Sequence, residues 1–266
     1  MAFSLLWLPK ILRDVDLKVA LVEGWENRGR GDVGQIRGVI CHHTVGLKLG
    51  NMPSLQTLIK GRNDLPGPLA QLGLGRDGTF YVIAAGRANH AGKGVWKGFT
   101  QGNSSFIGIE AENTGRSNDF PWPEVQMDAY RRGVAAILKK IGRGPEFCAG
   151  HKEYARPMGR KPDPSFDMNI FRSGVAAILD GTAAPIELIP TEESASSGGS
   201  PGRPTVRRGS EGDLIKTIQT KLGIEPVNGK FGSKTEAAVR QFQRDKNLVP
   251  DGIVGPKTWA ALDLIQ

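Results

Sequence analysis

Residues 181–204, GTAAPIELIPTEESASSGGSPGRP, are rich in Ser, Gly, Pro and Thr and carry no sustained apolar period. Such a segment reads as a linker, flexible at its Ser/Gly centre and stiffer near its prolines. It splits the 266-residue chain into a front domain, 1–180, and a tail, 205–266. Each part must then build its own core. The apolar fraction, 39%, is ordinary for a globular chain. No stretch approaches the roughly 20 apolar residues of a membrane-spanning helix, so no membrane insertion is expected. The N-terminal MAFSLLWLPKILRD has a short apolar run with no basic leader, cut off by Pro9, Lys10 and Arg13. It reads as mature protein and not as a signal peptide, which places the chain in the cytoplasm of the producing cell.

The tail repeats itself. IKTIQTKLGIEPVNGKFGSKTEAAV aligns with VRQFQRDKNLVPDGIVGPKTWAAL. Gln219 matches Gln243, while Gly229, Gly232, Thr235 and Ala238 match Gly252, Gly255, Thr258 and Ala261. Each copy predicts a helix, a Gly-x-x-Gly turn and the start of the next helix. The Asn/Asp-Gly pairs suit positive φ, and the threonine region suits a helix cap. The expectation is a small all-α three-helix module. A unit of this size without disulfides is a binding module more readily than an enzyme. The tail resembles the peptidoglycan-binding domains found at the ends of many cell-wall hydrolases, over about residues 205–263.

A net charge of +8 and a pI near 9.6 favour an anionic partner. No basic run interleaved with aromatics appears, so nucleic acid is not singled out as that partner. The two cysteines, Cys41 and Cys148, are too few for a disulfide scaffold.

The front domain alternates strand-like and helical segments. Residues 36–44 and 106–113 predict strands, and 69–85 predict a hairpin around Asp77-Gly78. Residues 123–142 and 168–181 predict helices, the first with Pro123 near its start and Gly142 at its end. This order predicts an α/β fold: a mixed central β-sheet flanked by helices.

The four histidines are His42, His43, His90 and His151. Adjacent strand residues face opposite sides, so only one of His42 and His43 can enter a given site. A catalytic zinc site needs three protein ligands and an open position. His42, His151 and Asp163 would supply two nitrogens and one oxygen. Pro162 and Pro164 hold the backbone around Asp163 extended. Lys161, two residues away, can reach the same side and stabilise charge on a carbonyl oxygen. A carboxylate is wanted to take a proton from water; Glu110 is the candidate and Glu112 the competitor.

As a set, GVICHHTVG, LGRDGTFYVIAAGRANHAG, SSFIGIEAEN and GHKEYARPMGRKPDPSFD resemble the zinc-dependent N-acetylmuramoyl-L-alanine amidases, whose fold is shared with peptidoglycan recognition proteins, over about residues 32–178. The resemblance implies Zn2+ held by His42, His151 and Asp163, with the zinc site at the sheet surface. It implies Lys161 acting on the scissile carbonyl and Glu110 as the base, preferred over Glu112. Some members use a tyrosine where this chain has Ala70. Some use cysteine in place of Asp163, which makes Cys148, three residues before His151, a rival ligand; Cys41 should face away. His90, in NHAG, matches a pocket histidine that is not a ligand; with His43, Gln71 and Asn89 it is assigned to substrate contact. The segment from His151 to Lys161 is about two residues longer than in the tighter family pattern. The implied reaction is hydrolysis of the amide between N-acetylmuramic acid and L-alanine, with peptidoglycan, its glycan strand and stem peptide, as partner and a monomer as the working form. A wall hydrolase with a wall-binding module looks like a bacteriophage endolysin, released with the help of a holin. A non-catalytic recognition protein, or a zinc peptidase acting on cross-links, is the alternative.

Overall fold

The computed structural model describes residues 3–183, 203–246, 248 and 252–265. Most of the linker assigned to 181–204 lies outside the described residues. The chain divides into two compact units, Met1–Pro185 and Ile186–Gln266.

The front unit opens on a helix that the sequence pattern concealed. In α1 (Leu8–Arg13), Pro9 sits in the first turn, where its missing N–H costs nothing. Leu5, Leu8 and Leu12 are at most 1% exposed, so the short apolar run is core. Next come β1 (Val19–Leu21), β2 (Gly38–His43), α2 (Leu55–Lys60) and the two-residue strands β3 (Gly61–Arg62) and β4 (Leu65–Pro66). Then follow β5 (Leu72–Leu74), β6 (Phe80–Val82), α3 (Gly102–Ser105), β7 (Phe106–Ala111) and α4 (Glu124–Lys140). β8 (Cys148–Gly150), α5 (His151–Tyr154) and α6 (Met168–Leu179) complete the unit.

Six strands form one sheet in the order β1-β6-β5-β7-β2-β8. All neighbours are parallel except the β5–β6 hairpin. Its turn is the expected one: Gly78 takes a φ of 78°, and Asp77 Oδ1 accepts the Thr79 N–H at 2.9 Å. β2 is buried along its whole length, as its run of apolar residues requires of an inner parallel strand.

The period of two sorts the sheet's faces. Val39, Cys41, Ile107 and Ile109 share the main core with Leu8 and Leu12 of α1, Tyr130, Val134 and Ile137 of α4, and Phe171 of α6. Each such large apolar side chain contributes about 1.5–3 kcal/mol through burial. Ile40 and Phe106 point the other way, into a smaller cluster with Ala91, Ala149 and Tyr154. By the same parity His42 and Glu110 belong to the second face, away from α4 and α6.

The tail unit carries α7 (Asp213–Lys221), α8 (Ser233–Asp245) and α9 (Pro256–Asp263) around Ile215, Ile218, Phe231, Val239, Phe242, Val254, Trp259 and Leu262. The repeat is visible as hydrogen bonds. Gln219 Oε1 accepts from Gly229 N at 2.9 Å, and Gln243 Oε1 accepts from Gly252 N at 2.8 Å. The two amide groups donate to Thr235 Oγ1 and Thr258 Oγ1 at 3.2 and 3.1 Å. Gly229 and Gly252 take φ values of 70° and 73°, as the Asn/Asp-Gly pairs suggest. The threonines do not cap helices; each lies in the first turn and turns its hydroxyl back toward the preceding loop.

Candidate metal centre

β2, β7 and β8 run parallel, so their C-terminal ends meet on one edge of the sheet. His42 lies in β2 in register with Glu110 of β7, and His151 follows β8 directly as the first residue of α5. The loop after α5 returns Asp163 to the same place. His42 Nδ1 lies 3.0 Å from His151 Nδ1 and 3.2 Å from Asp163 Oδ2, and His151 Nδ1 lies 3.1 Å from the same oxygen. All three residues are buried.

This triangle suits a metal. A tetrahedral zinc ion with N and O ligands at about 2.0–2.2 Å spaces neighbouring donors about 3.3 Å apart. Two imidazoles and one carboxylate are a ligand set zinc accepts. His151 Nε2 lies 2.9 Å from the Ala91 carbonyl, which can only accept; the proton is therefore on Nε2 and the Nδ1 lone pair faces the centre. His42 has the same polarity, with Nε2 turned to a third ring, His90, at 3.0 Å.

The charges respond to this crowding. Burial, helped by the neighbouring His151, pushes His42 down to about 4. Burial would raise Asp163, but hydrogen bonds from His151 and His42 outweigh it and hold the carboxyl well below the usual range. Glu110 goes the other way. Burial, with the charges of Asp163 and Glu112, raises it to about 8, against the opposing pull of Lys161 and Arg62. Glu110 Oε1 stands 4.0 Å from His42 Nδ1, and Oε2 is buried with no hydrogen-bond partner among the described residues. In the metal-free chain this carboxyl keeps its proton at neutral pH; a dication held by the triangle would favour its ionised form, and the bare oxygen would then be placed to take a proton.

Glu112, the competitor, is committed elsewhere. Its carboxylate accepts from Thr44 Oγ1 at 2.6 Å, Ser54 Oγ at 3.0 Å and Ser54 N at 3.0 Å, and it is fully buried. It ties down the loop after β2. Lys161 reaches the site electrically, since its charge acts on both His42 and Glu110. It also lines an open groove of about 770 Å³ with Trp96, Lys152, Arg156, Met158 and Pro162.

The other assigned residues have partners of their own. Cys148 is no ligand: its Sγ lies 3.5 Å from Cys41 Sγ in the core beneath the sheet. Gln71 is not brought to the site; it is fully buried, accepting from Gly108 N at 2.8 Å and donating to the Gly86 carbonyl at 3.3 Å. Asn89 donates to the Pro66 carbonyl. His43 faces the α4 side, as strand parity demands, and its Nδ1 accepts from Ser165 N at 3.2 Å. It steadies the segment carrying Asp163. His90 sits behind His42.

Three contributors escaped the sequence. Lys152 N donates to the Asp163 carbonyl at 2.6 Å and Lys152 Nζ to the Phe166 carbonyl at 2.8 Å. Trp122 Nε1 donates to Ser165 Oγ at 3.1 Å. Tyr130 Oη accepts from His42 N at 3.0 Å and donates to the Ile109 carbonyl at 2.9 Å, joining β2 to β7 beside the centre. A hydroxyl on the apolar stripe of α4 was the one visible hint for Tyr130.

Comparison with known proteins places this architecture. The N-acetylmuramoyl-L-alanine amidase family matches residues 32–166, and a peptidoglycan binding domain family matches residues 211–262. The first match spans half of the chain, and the chain belongs to the N-acetylmuramoyl-L-alanine amidase family. An uncharacterized protein of Kitasatospora aureofaciens, encoded in the bpoA1 3' region, is 44% identical over 80 residues, 27% of this chain and 68% of that protein. The 1,6-anhydro-N-acetylmuramyl-L-alanine amidase AmpD of Enterobacter cloacae is 33% identical over 110 residues, 40% of this chain and 56% of AmpD. The match therefore spans little more than half of AmpD's length. The solved complex of the E. coli amidase AmiD with anhydro-N-acetylmuramic acid-L-Ala-D-gamma-Glu-L-Lys is 16% identical, covers 90% of this chain and 91% of that one, and has a TM-score of 0.43.

Proposed function

We propose that this chain is a zinc-dependent hydrolase of bacterial peptidoglycan that cleaves the amide between N-acetylmuramic acid and L-alanine, acting in cell-wall lysis. The observation that carries the reading is the convergence of two bare imidazole nitrogens and a carboxylate oxygen beside Glu110 Oε2, which has no hydrogen-bond partner among the described residues.

His42, His151 and Asp163 would hold the ion. When bound, zinc supplies a Lewis acid and lowers the pKa of water toward about 7. Glu110, ionised once the neighbouring dication lowers its pKa, takes the proton from the attacking water on Oε2 and passes one to the departing L-alanine nitrogen. Lys161, its charge felt at the same point, stabilises the negative charge that grows on the carbonyl oxygen. The groove that Lys161 lines would give an extended polymer room to lie beside the site.

The tail would keep the front unit at the wall by raising its effective concentration there. An endolysin role, with holin-assisted release, extends this reading; it predicts that purified protein added to susceptible cells with exposed walls lowers their turbidity.

The deciding experiment is a digest of purified peptidoglycan with mass spectrometry of the products, with and without chelator and with Asp163→Ala. The expected products are stem peptides beginning at L-alanine and intact glycan strands, lost on chelation and in the variant. Cut cross-links would assign the site to a peptidase. Retained wall binding with no products would assign it to a recognition protein.

A further inference from the structure

His90 and Ala91 stand behind both histidine ligands at once. The chain of hydrogen bonds has only one consistent direction. The Phe106 carbonyl, 3.2 Å from His90 Nε2, can only accept, so that nitrogen carries the proton. His90 Nδ1 is then a bare acceptor, and His42 Nε2, 3.0 Å away, must donate to it. His42 Nδ1 is thereby left with its lone pair toward His151 and Asp163. The next residue does the same for the other ligand, since the Ala91 carbonyl receives the His151 Nε2 proton at 2.9 Å.

This dipeptide is itself held. Asn103 Oδ1 accepts from His90 N at 3.0 Å and from Ala91 N at 2.8 Å. The sheet leaves room for the His90 ring: a Cβ at Gly108 would lie 2.5 Å from His90 Cγ. The rings of His42 and His90 meet edge to face with centroids 5.2 Å apart, so His90 fixes the plane of His42 as well as its proton.

We infer that His90, clamped by Asn103, is a positioning residue that sets the tautomer and orientation of His42 for zinc, while the Ala91 carbonyl in the same clamp sets His151. The inference rests on the proposed zinc reading. An outer hydrogen bond of this kind raises ligand basicity and fixes the ring, and its loss weakens metal binding about 10- to 100-fold.

The test measures zinc affinity of the full chain by competition with a chromophoric chelator, independent of any turnover. His90→Phe keeps an aromatic ring and removes the acceptor; it should bind zinc about 10- to 100-fold more weakly. His90→Asn can present an oxygen near the position of Nδ1 and should recover most of the affinity. Asn103→Ala, which leaves every histidine in place, should also weaken binding, and it carries the test if His90→Phe fails to fold. Wild-type affinity in both His90→Phe and Asn103→Ala would overturn the inference. So would equal weakening in His90→Phe and His90→Asn, which would assign His90 to packing alone. Asp163→Ala separates the two readings: no zinc binding by the wild type, or none lost in Asp163→Ala, would overturn the zinc reading itself.

Discussion

At Glu110 stability and chemistry pull in opposite directions. The carboxyl stands near 8 in the folded metal-free chain against an ordinary 4.5, because burial disfavours its charge. Below pH 4.5 both folded and unfolded chains hold the proton, and Glu110 costs nothing. Between 4.5 and 8 the folded chain keeps a proton that the unfolded chain has lost, so stability falls as pH rises, and above 8 the cost is complete. His42 acts in the opposite sense: depressed to about 4, it removes stability as pH falls from about 6.5 toward 4. Glu110→Gln isolates the first effect. In chelator, urea unfolding at pH 8 should show the variant about 1–3 kcal/mol more stable than the wild type, with no difference near pH 4. Its amidase rate should fall by about 10²- to 10⁴-fold, the usual contribution of a general base. A variant less stable at pH 8 would show that the carboxylate has a partner holding its charge.

The elements that were legible in the sequence are those whose cause is local. The turn at Asp77-Gly78, the helices α4 and α6, and the repeated glutamine and glycine of the tail all rest on causes that act over a few residues. The cluster of His42, His151 and Asp163 was legible as a motif set, although nothing local joins residues 109 and 121 positions apart. What holds that cluster in place was not legible. The family resemblance gives Gln71 and His43 to substrate contact, and only the packed sheet shows that their partners are backbone groups 37 and 122 positions away. The same holds for Tyr130, whose hydroxyl joins β2 and β7 from α4. Tyr130→Phe keeps the ring against Phe166 and Phe171 but leaves the buried His42 N–H without an acceptor. It should cost about 1–3 kcal/mol of unfolding free energy, read by urea denaturation in chelator. A loss under 0.5 kcal/mol would mean that the strand ends hold their register without it.

At the scale of the whole molecule, two cores share one chain, and each has its own source of stability. The front core gathers around the sheet and the tail core around Ile218, Phe231, Val239 and Trp259. Net charge of +8 belongs to the chain as a whole and should make wall binding weaken as salt rises, because exposed charges are screened over about 8 Å at physiological ionic strength. Binding to purified walls that is unchanged up to 1 M salt would remove charge from the account of the tail's grip. Metal should divide the two units more sharply. Among the described residues, His42, His151 and Asp163 form the one triad able to hold an ion, and it lies in the front unit. A ligand that binds only the folded state stabilises by about 4 kcal/mol at a thousandfold excess over its dissociation constant. For a unit of this size each kcal/mol moves the thermal midpoint by about 2–4 °C. Calorimetry of the full chain should therefore show two transitions, of which zinc raises one by about 8–16 °C and leaves the other in place. Asp163→Ala should abolish the shift without touching the unmoved transition. A single transition that moves as a whole would mean that the two cores unfold as one cooperative unit, and the linker would then be no boundary in the energetic sense.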